Sequence, residues 1–179
     1  MTETARDAVL DARPVTGAPA DDVVQWLSEP EMRAWRTLLD AATGLLATLD
    51  QELQREHGLS LAEYEVLVIV SEAGEHGVRM HDLAGMLHLS PSGVTRRVDA
   101  MVRRGMVARR QCPSDRRGSY AVLTDDGWAR LRQAAPTHVR GVRAHFVDRL
   151  SPRQLANLTN ALSSVDVDDA AAAGGCDER

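Results

Sequence analysis

Residues 80 to 124 constrain this chain more than any other stretch. They read as helix, turn, helix and then a two-stranded ribbon with an arginine-rich tip. Leu83, Met86 and Leu87 follow helical spacing, and His88-Leu89 supplies a tight turn. Ser90 then sits at an N-cap with Pro91 at the first helical position, where a missing N–H costs nothing. Gly105 stops this second helix. Residues 107–111 and 120–123 form short strands, and Pro113-Ser114-Asp115 with Gly118 punctuate the hairpin between them.

The second helix of the pair carries two unlike faces. Val94, Val98, Met101 and Val102 recur at i, i+4, i+7 and i+8 and form a packing face. Ser92, Thr95, Arg96 and Asp99 fall largely on the other side. Ser92 and Gly93 are small, so the helix N-terminus can approach a DNA groove closely, and its free amides favour a phosphate there. Arg96 is the candidate for a bidentate guanine contact. Arg97 is expected on the phosphate backbone or paired with Asp115. At the ribbon tip, Asp115 can orient Arg116 or Arg117 by a charge-assisted hydrogen bond and aim it at a narrow minor groove. Arg109 and Arg110 are expected on phosphates, which position a protein without specifying sequence. Arg103 and Arg104 read equally well as a solvated face.

Charge distribution supports this reading although the total opposes it. The whole chain carries −5. Between Ser90 and Gly118 eight arginines face two aspartates, a net of +6, which leaves −11 for the remainder. Such a chain can hold phosphate on one face and repel it elsewhere.

The flanks read as helices. Residues 1–20 lack apolar periodicity and are expected to be a disordered arm. Residues 21–28 are expected to form a short helix with Val23, Val24 and Leu27 on one side. Glu29-Pro30 opens a long helix, with Leu38, Ala42, Leu45, Leu46, Leu49 and Leu53 in one stripe and Gly58 as its cap. Ser60 and Glu63 form a capping box for a second helix bearing Leu61, Tyr64, Leu67 and Val68. Thr124 caps a further helix through about Arg149, kinked or broken at Pro136. Ser151-Pro152 opens the last one, with Leu155, Leu158 and Leu162. Residues 166–179 are Asp-, Ala- and Gly-rich and are expected to be a disordered tail. The expected fold class is therefore mainly α with a small β-wing. It divides into dimerisation helices at 21–59 and 127–165 around a winged helix-turn-helix lobe at 60–126. Hydrophobic residues make up 44% of the chain and aromatics only 3%, so the core must be aliphatic, which suits helices. The outer helices carry more apolar residues than one short bundle buries, so a partner chain is expected. Leu38, Leu45, Val142, Phe146, Leu155 and Leu158 are candidates for that seam or for intrachain core.

The run Leu83-Ala84, Leu89-Ser90, Val94-Thr95-Arg96-Arg97-Val98, Gly105-Met106-Val107-Ala108-Arg109, Asp115-Arg116-Arg117, Val122-Leu123-Thr124 and Gly127 resembles the MarR family of winged-helix regulators. The resemblance extends from about Glu31 to Val165 and is most specific in the wing. It implies an obligate homodimer of triangular shape with interlocked terminal helices. It also implies binding to a palindromic operator on double-stranded DNA, usually as a repressor, and release by a small aromatic or anionic effector. In the family an effector pocket often lies where the long first helix, the second helix and the fifth helix meet the DNA-binding lobe; Trp35, Tyr64, His138 and His145 are the candidates to line such a space here. Trp26 faintly resembles a tryptophan of the urate-sensing branch, without that branch's charged residues. The cysteine that the peroxide-sensing branch carries near the start of the first long helix is absent.

Other classes find less support. No Gly-rich phosphate loop, nucleophile elbow, paired catalytic carboxylates or HExxH motif appears, so no enzyme is expected. His57, His76, His81 and His88 lack metal-ligand spacing, and no metal or cofactor is expected. Cys112 and Cys176 are far apart and form neither a disulfide framework nor a zinc set. No apolar run approaches a membrane span, no signal peptide is evident, and a cytoplasmic location is expected. The rival reading is a winged-helix protein-interaction module that does not read DNA; the arginines at 96, 97, 116 and 117 argue against it.

Overall fold

The computed structural model describes residues 24–111 and 118–165. The arm at 1–20, Cys112, Asp115, Arg116, Arg117 and the tail with Cys176 therefore lie outside the described residues. The chain divides into two compact units, Met1–Leu39 and Asp40–Arg179.

In the first unit, residues 24–28 have no helical structure, in contrast to the expected helix over 21–28. The reason is a cap. Both the amide and the hydroxyl of Ser28 donate to the Glu31 carboxylate, at 2.7 and 2.6 Å, and Met32 N–H reaches back to the Ser28 carbonyl. Ser28 thus starts helix α1 (Glu29–His57), and an N-cap residue is itself non-helical. Pro30 stands in the first turn, where it is tolerated.

In the second unit, α1 ends at Gly58, whose φ of +59° few other residues adopt cheaply. Helix α2 (Leu61–Glu72) follows with the predicted capping box between Ser60 and Glu63. Its buried residues are Leu61, Tyr64, Val66, Leu67 and Val70, so the helix is enclosed on more than one side. Strand β1 (Val78–Arg79) leads into α3 (Met80–Met86), and His88 makes the turn with a φ of +49°. Helix α4 (Pro91–Arg103) begins at Ser90, whose hydroxyl accepts the Gly93 amide, and stops before Gly105. Strands β2 (Val107–Gln111) and β3 (Ser119–Leu123) pair antiparallel, with Arg109 opposite Ala121.

The ribbon has three strands, not the two expected, in the order β1-β3-β2. Val78 pairs with Ala121 and Arg79 with Tyr120. Two residues are too few to show alternation in a sequence. Gly77 makes the pairing possible: its φ is +72°, and a Cβ there would collide with the Ala121 carbonyl and the Val122 side chain.

Helix α5 (Asp125–His145) runs through Pro136 without a break and ends four residues before the expected Arg149, in a 3₁₀ turn at Val147–Arg149. Packing outweighs the lost hydrogen bond. Leu131, Ala134, Thr137 and Gly141 are buried on one face, and a Cβ at Gly141 would press on Leu49 and Glu52 of α1. Helix α6 (Pro152–Leu162) opens with a Ser151–Gln154 capping box, yet none of its residues is buried.

The core is aliphatic as expected. Leu53, Val66, Leu67, Val70, Leu83, Val94, Val98, Met101 and Ala121 are fully enclosed. Of the seam candidates, Leu45 and Val142 pack against this core, whereas Leu38 is exposed and Phe146, Leu155 and Leu158 remain half-buried. Val102 is a correction to the predicted packing face. It is 36% exposed, because at 3.6 residues per turn i+8 lies about 80° round the helix from Val94, at the margin of the buried stripe.

Candidate nucleic-acid interface

Helix α4 is seated by Val94, Val98 and Met101, all completely buried. That burial turns Ser92, Thr95 and Arg96 outward to solvent and leaves Gly93, Arg97 and Asp99 half-exposed. The N-terminal turn is pre-organised. The Ser90 hydroxyl lies 3.2 Å from Ser92 Oγ, and Thr95 Oγ1 donates to the Pro91 carbonyl at 2.9 Å. Gly93 is tight: a Cβ there would stand 3.2 Å from Ser90 Oγ. Among the described residues, neither Arg96 nor Arg97 has a hydrogen-bond or ion-pair partner, so both guanidiniums keep their donors available. An open cleft of about 550 Å³ separates them from the corner at Gly58, Ser60 and Glu63.

Two arginines expected on phosphates, Arg109 and Arg110, are exposed and each also has a partner within the protein. Arg109 of β2 pairs with Asp99 of α4 at 2.8 Å, tying the base of the ribbon to the helix. Arg110 donates to the His76 carbonyl at 2.5 Å. Nothing in the spacing of Asp99 and Arg109 announces their pairing; it depends on how the ribbon lies against α4. Arg79 adds a further positive group on the sheet, its Nε donating to Tyr120 Oη at 3.0 Å.

The predicted effector residues are brought together only in part. Tyr64 of α2 and His138 of α5 stack with ring centroids 4.6 Å apart. His138 Nδ1 is buried and is the one such side-chain atom among the described residues without a hydrogen-bond partner. Burial pushes the imidazole below its ordinary 6.5, with Glu65 opposing, and burial raises the Tyr64 phenol. His145, seven residues further along α5, pairs with Glu52 of α1 at 2.8 Å. Trp35 lies in the other compact unit and is half exposed.

A depressed histidine has a measurable consequence. As pH falls below 6.5 the unfolded chain binds a proton that the folded protein resists, so His138 makes stability fall in that range. Glu63 and Glu56, whose carboxyls sit below their ordinary 4.5, act at lower pH. Urea denaturation at about pH 5.5 is therefore expected to give a lower midpoint than at about pH 7.5, with His138→Phe reducing the difference. An unchanged pH dependence in that variant would contradict the assignment.

A helix-turn-helix pair, a capped outward-facing α4 and an antiparallel sheet packed beside it define a winged helix-turn-helix protein. Residues 59–119 match the MarR family. AbsC of Streptomyces coelicolor, a MarR family transcriptional regulator, is 41% identical, with 78% of this chain and 93% of that one covered and a TM-score of 0.73. Sco3205 of the same organism, a MarR family regulator solved in complex with DNA, is 38% identical, with 80% and 89% covered and a TM-score of 0.75. The transcriptional repressor YetL of Bacillus subtilis is 31% identical over 49% of this chain. The match spans 52% of YetL's length and 62% of a second Bacillus regulator's. The chain belongs to the MarR family of winged-helix transcriptional regulators. Among the described residues, no helix is long and apolar enough to cross a membrane, and no cluster of three or more His, Cys, Asp or Glu could hold a metal ion.

Proposed function

We propose that this chain is a sequence-specific, ligand-responsive transcriptional regulator, a repressor that binds a palindromic operator as a homodimer in the cytoplasm. It has no catalytic role. The observation that carries the reading is the state of α4. Val94, Val98 and Met101 are fully buried, its N-terminus is capped, and the exposed Arg96 and half-exposed Arg97 have no partner among the described residues. The complex of Sco3205 with DNA supports the same use of the fold. In this reading residues 60–126 form the DNA-binding lobe. Ser90, Ser92, Gly93 and Thr95 approach the groove, Arg96 reads a guanine edge, and Arg97 holds phosphate. Asp115, Arg116 and Arg117 serve the wing by their sequence alone. Arg109, held at the base of the wing by Asp99, contacts phosphate. A small aromatic or anionic effector would act near Tyr64 and His138, where the unpartnered Nδ1 offers a hydrogen-bond site.

Selection of bound fragments from a random duplex pool tests the reading. It should yield an inverted repeat with half-sites about one helical turn, 10–10.5 bp, apart or a multiple of that. Recovery of no common sequence would favour a protein-interaction module. Within the selected site, Arg96→Ala is expected to cost about 1–3 kcal/mol and to relax preference at one base position. Gel shifts on operators varied one base at a time measure this; undiminished discrimination at every position would refute the assignment of Arg96.

A further inference from the structure

The last turn of an α-helix leaves carbonyl groups without partners in their own helix, and that end carries partial negative charge. At the C-terminus of α1, two arginines from elsewhere in the chain supply donors. Arg130 of α5 donates to the His57 carbonyl at 3.2 Å. Arg104 donates from Nη2 to the Gly58 carbonyl at 2.7 Å. Its Nη1 also donates to Glu63 Oε1 at 2.5 Å. The other carboxylate oxygen of Glu63 accepts the Ser60 amide at 3.0 Å and the Ser60 hydroxyl at 3.1 Å.

Arg104 is the residue that caps the C-terminus of α4. One guanidinium therefore joins three elements: the turn that ends α1, the cap that starts α2, and the end of α4. The planar fork suits this task, because it presents two donors to two acceptors at a fixed angle, which a lysine ammonium on a flexible stem does not. Burial of Glu63 works against its charge, but the Ser60 amide and the Arg104 guanidinium outweigh it and hold the carboxyl below its ordinary 4.5. The acceptor is thus ionised throughout the neutral range.

Resting on the reading of α4 as the DNA-reading helix, we propose that Arg104 is a positioning residue for DNA recognition: it fixes the seat of α4 on the α1–α2 corner and does not itself touch DNA. It therefore differs from Arg96 and Arg97, whose guanidiniums have no partner among the described residues.

The test measures affinity for the selected operator and for a random duplex across a salt series, with circular dichroism confirming that each variant is fully folded at the working temperature. Arg104→Ala is expected to weaken operator binding about tenfold, the size of one lost base contact. Its random-duplex affinity and salt slope should match the wild type, since no phosphate contact is removed. Glu63→Gln keeps the capping box, because Gln also serves that position, yet it removes the charge that holds Arg104. It should weaken operator binding in the same direction, and the double variant should be no weaker than Arg104→Ala. Arg104→Lys should not restore affinity. The proposal is overturned if Arg104→Ala weakens both duplexes alike and lowers the salt slope by about one, the mark of a phosphate contact. It is equally overturned if Arg104→Ala leaves operator affinity intact, or if Glu63→Gln leaves it unchanged or strengthens it. Wild type and Arg96→Ala are measured alongside. A wild type without sequence preference defeats the DNA-binding reading itself. A specific wild type with the expected Arg96→Ala loss, beside an unaffected Arg104→Ala, defeats only the role given to Arg104.

Discussion

Gly127→Ala is expected to destabilise the folded protein by about 3 kcal/mol, the upper part of the range for overpacking a tight site, and to lower Tm by roughly 6–12 °C. The cause is a backbone-to-backbone approach. Thr124 N–H donates to the Met106 carbonyl, while Thr124 Oγ1 accepts the Gly127 amide and donates to Gly105 O. These bonds fold the start of α5 over the end of the α4–β2 turn. A Cβ on Gly127 would collide with the Met106 carbonyl oxygen, and no rotamer change relieves a clash with backbone. Gly44 supplies the control. It lies within α1 with nothing near its missing Cβ, so Gly44→Ala should stabilise by about 0.5–1 kcal/mol through helix propensity alone. Thermal melts of the two variants read the opposite signs; a Gly127→Ala protein as stable as wild type would show that the close approach is not real.

Removal of α6 by ending the chain after Leu150 is expected to abolish the dimer and to weaken operator binding at least a hundredfold, because the second half-site is no longer held at a high effective concentration. Helix α6 has a complete capping box and Pro152 in its first turn, yet none of its residues is buried within the chain. Leu155 and Leu158 are half-exposed and Leu162 is 44% exposed. A helix of 11 residues is marginal in isolation, so an apolar stripe on a well-capped but unburied helix fits a seam with a second copy. Sedimentation of the truncated chain should give monomers or aggregates. A stable monomer that binds the operator as tightly as the full chain would contradict dimerisation through α6.

The elements that were legible in the sequence are those that announce their ends. Ser60, Ser90, Thr124 and Ser151 each cap a helix, and Gly58 and Gly105 each take a positive φ after one. The buried face of α4 is legible as far as Met101, because i, i+4 and i+7 stay on one side of the helix over about two turns. Residues 24–28 mimic a helix in sequence because Val24 and Leu27 resemble a short stripe, while the Ser28–Glu31 cap that excludes them works over three residues. Strand β1 and the unbroken α5 were hidden for a shared reason. Both depend on tertiary partners, Ala121 for Val78 and the α1 surface for Gly141. In the candidate site, the outward placement of Arg96 follows from helical phase. The engagement of Arg109 by Asp99, of Arg110 by the His76 carbonyl and of Arg104 by Glu63 did not. Each joins residues from different elements, and a spacing pattern carries no information about such pairs.

The most direct measurement is a competition titration at physiological salt, with purified, folded protein displaced from a selected operator by random duplex. A preference of at least about 10³ for the operator is expected, as for other specific DNA-binding proteins, reduced in Arg96→Ala. Equal displacement by operator and random duplex would contradict it.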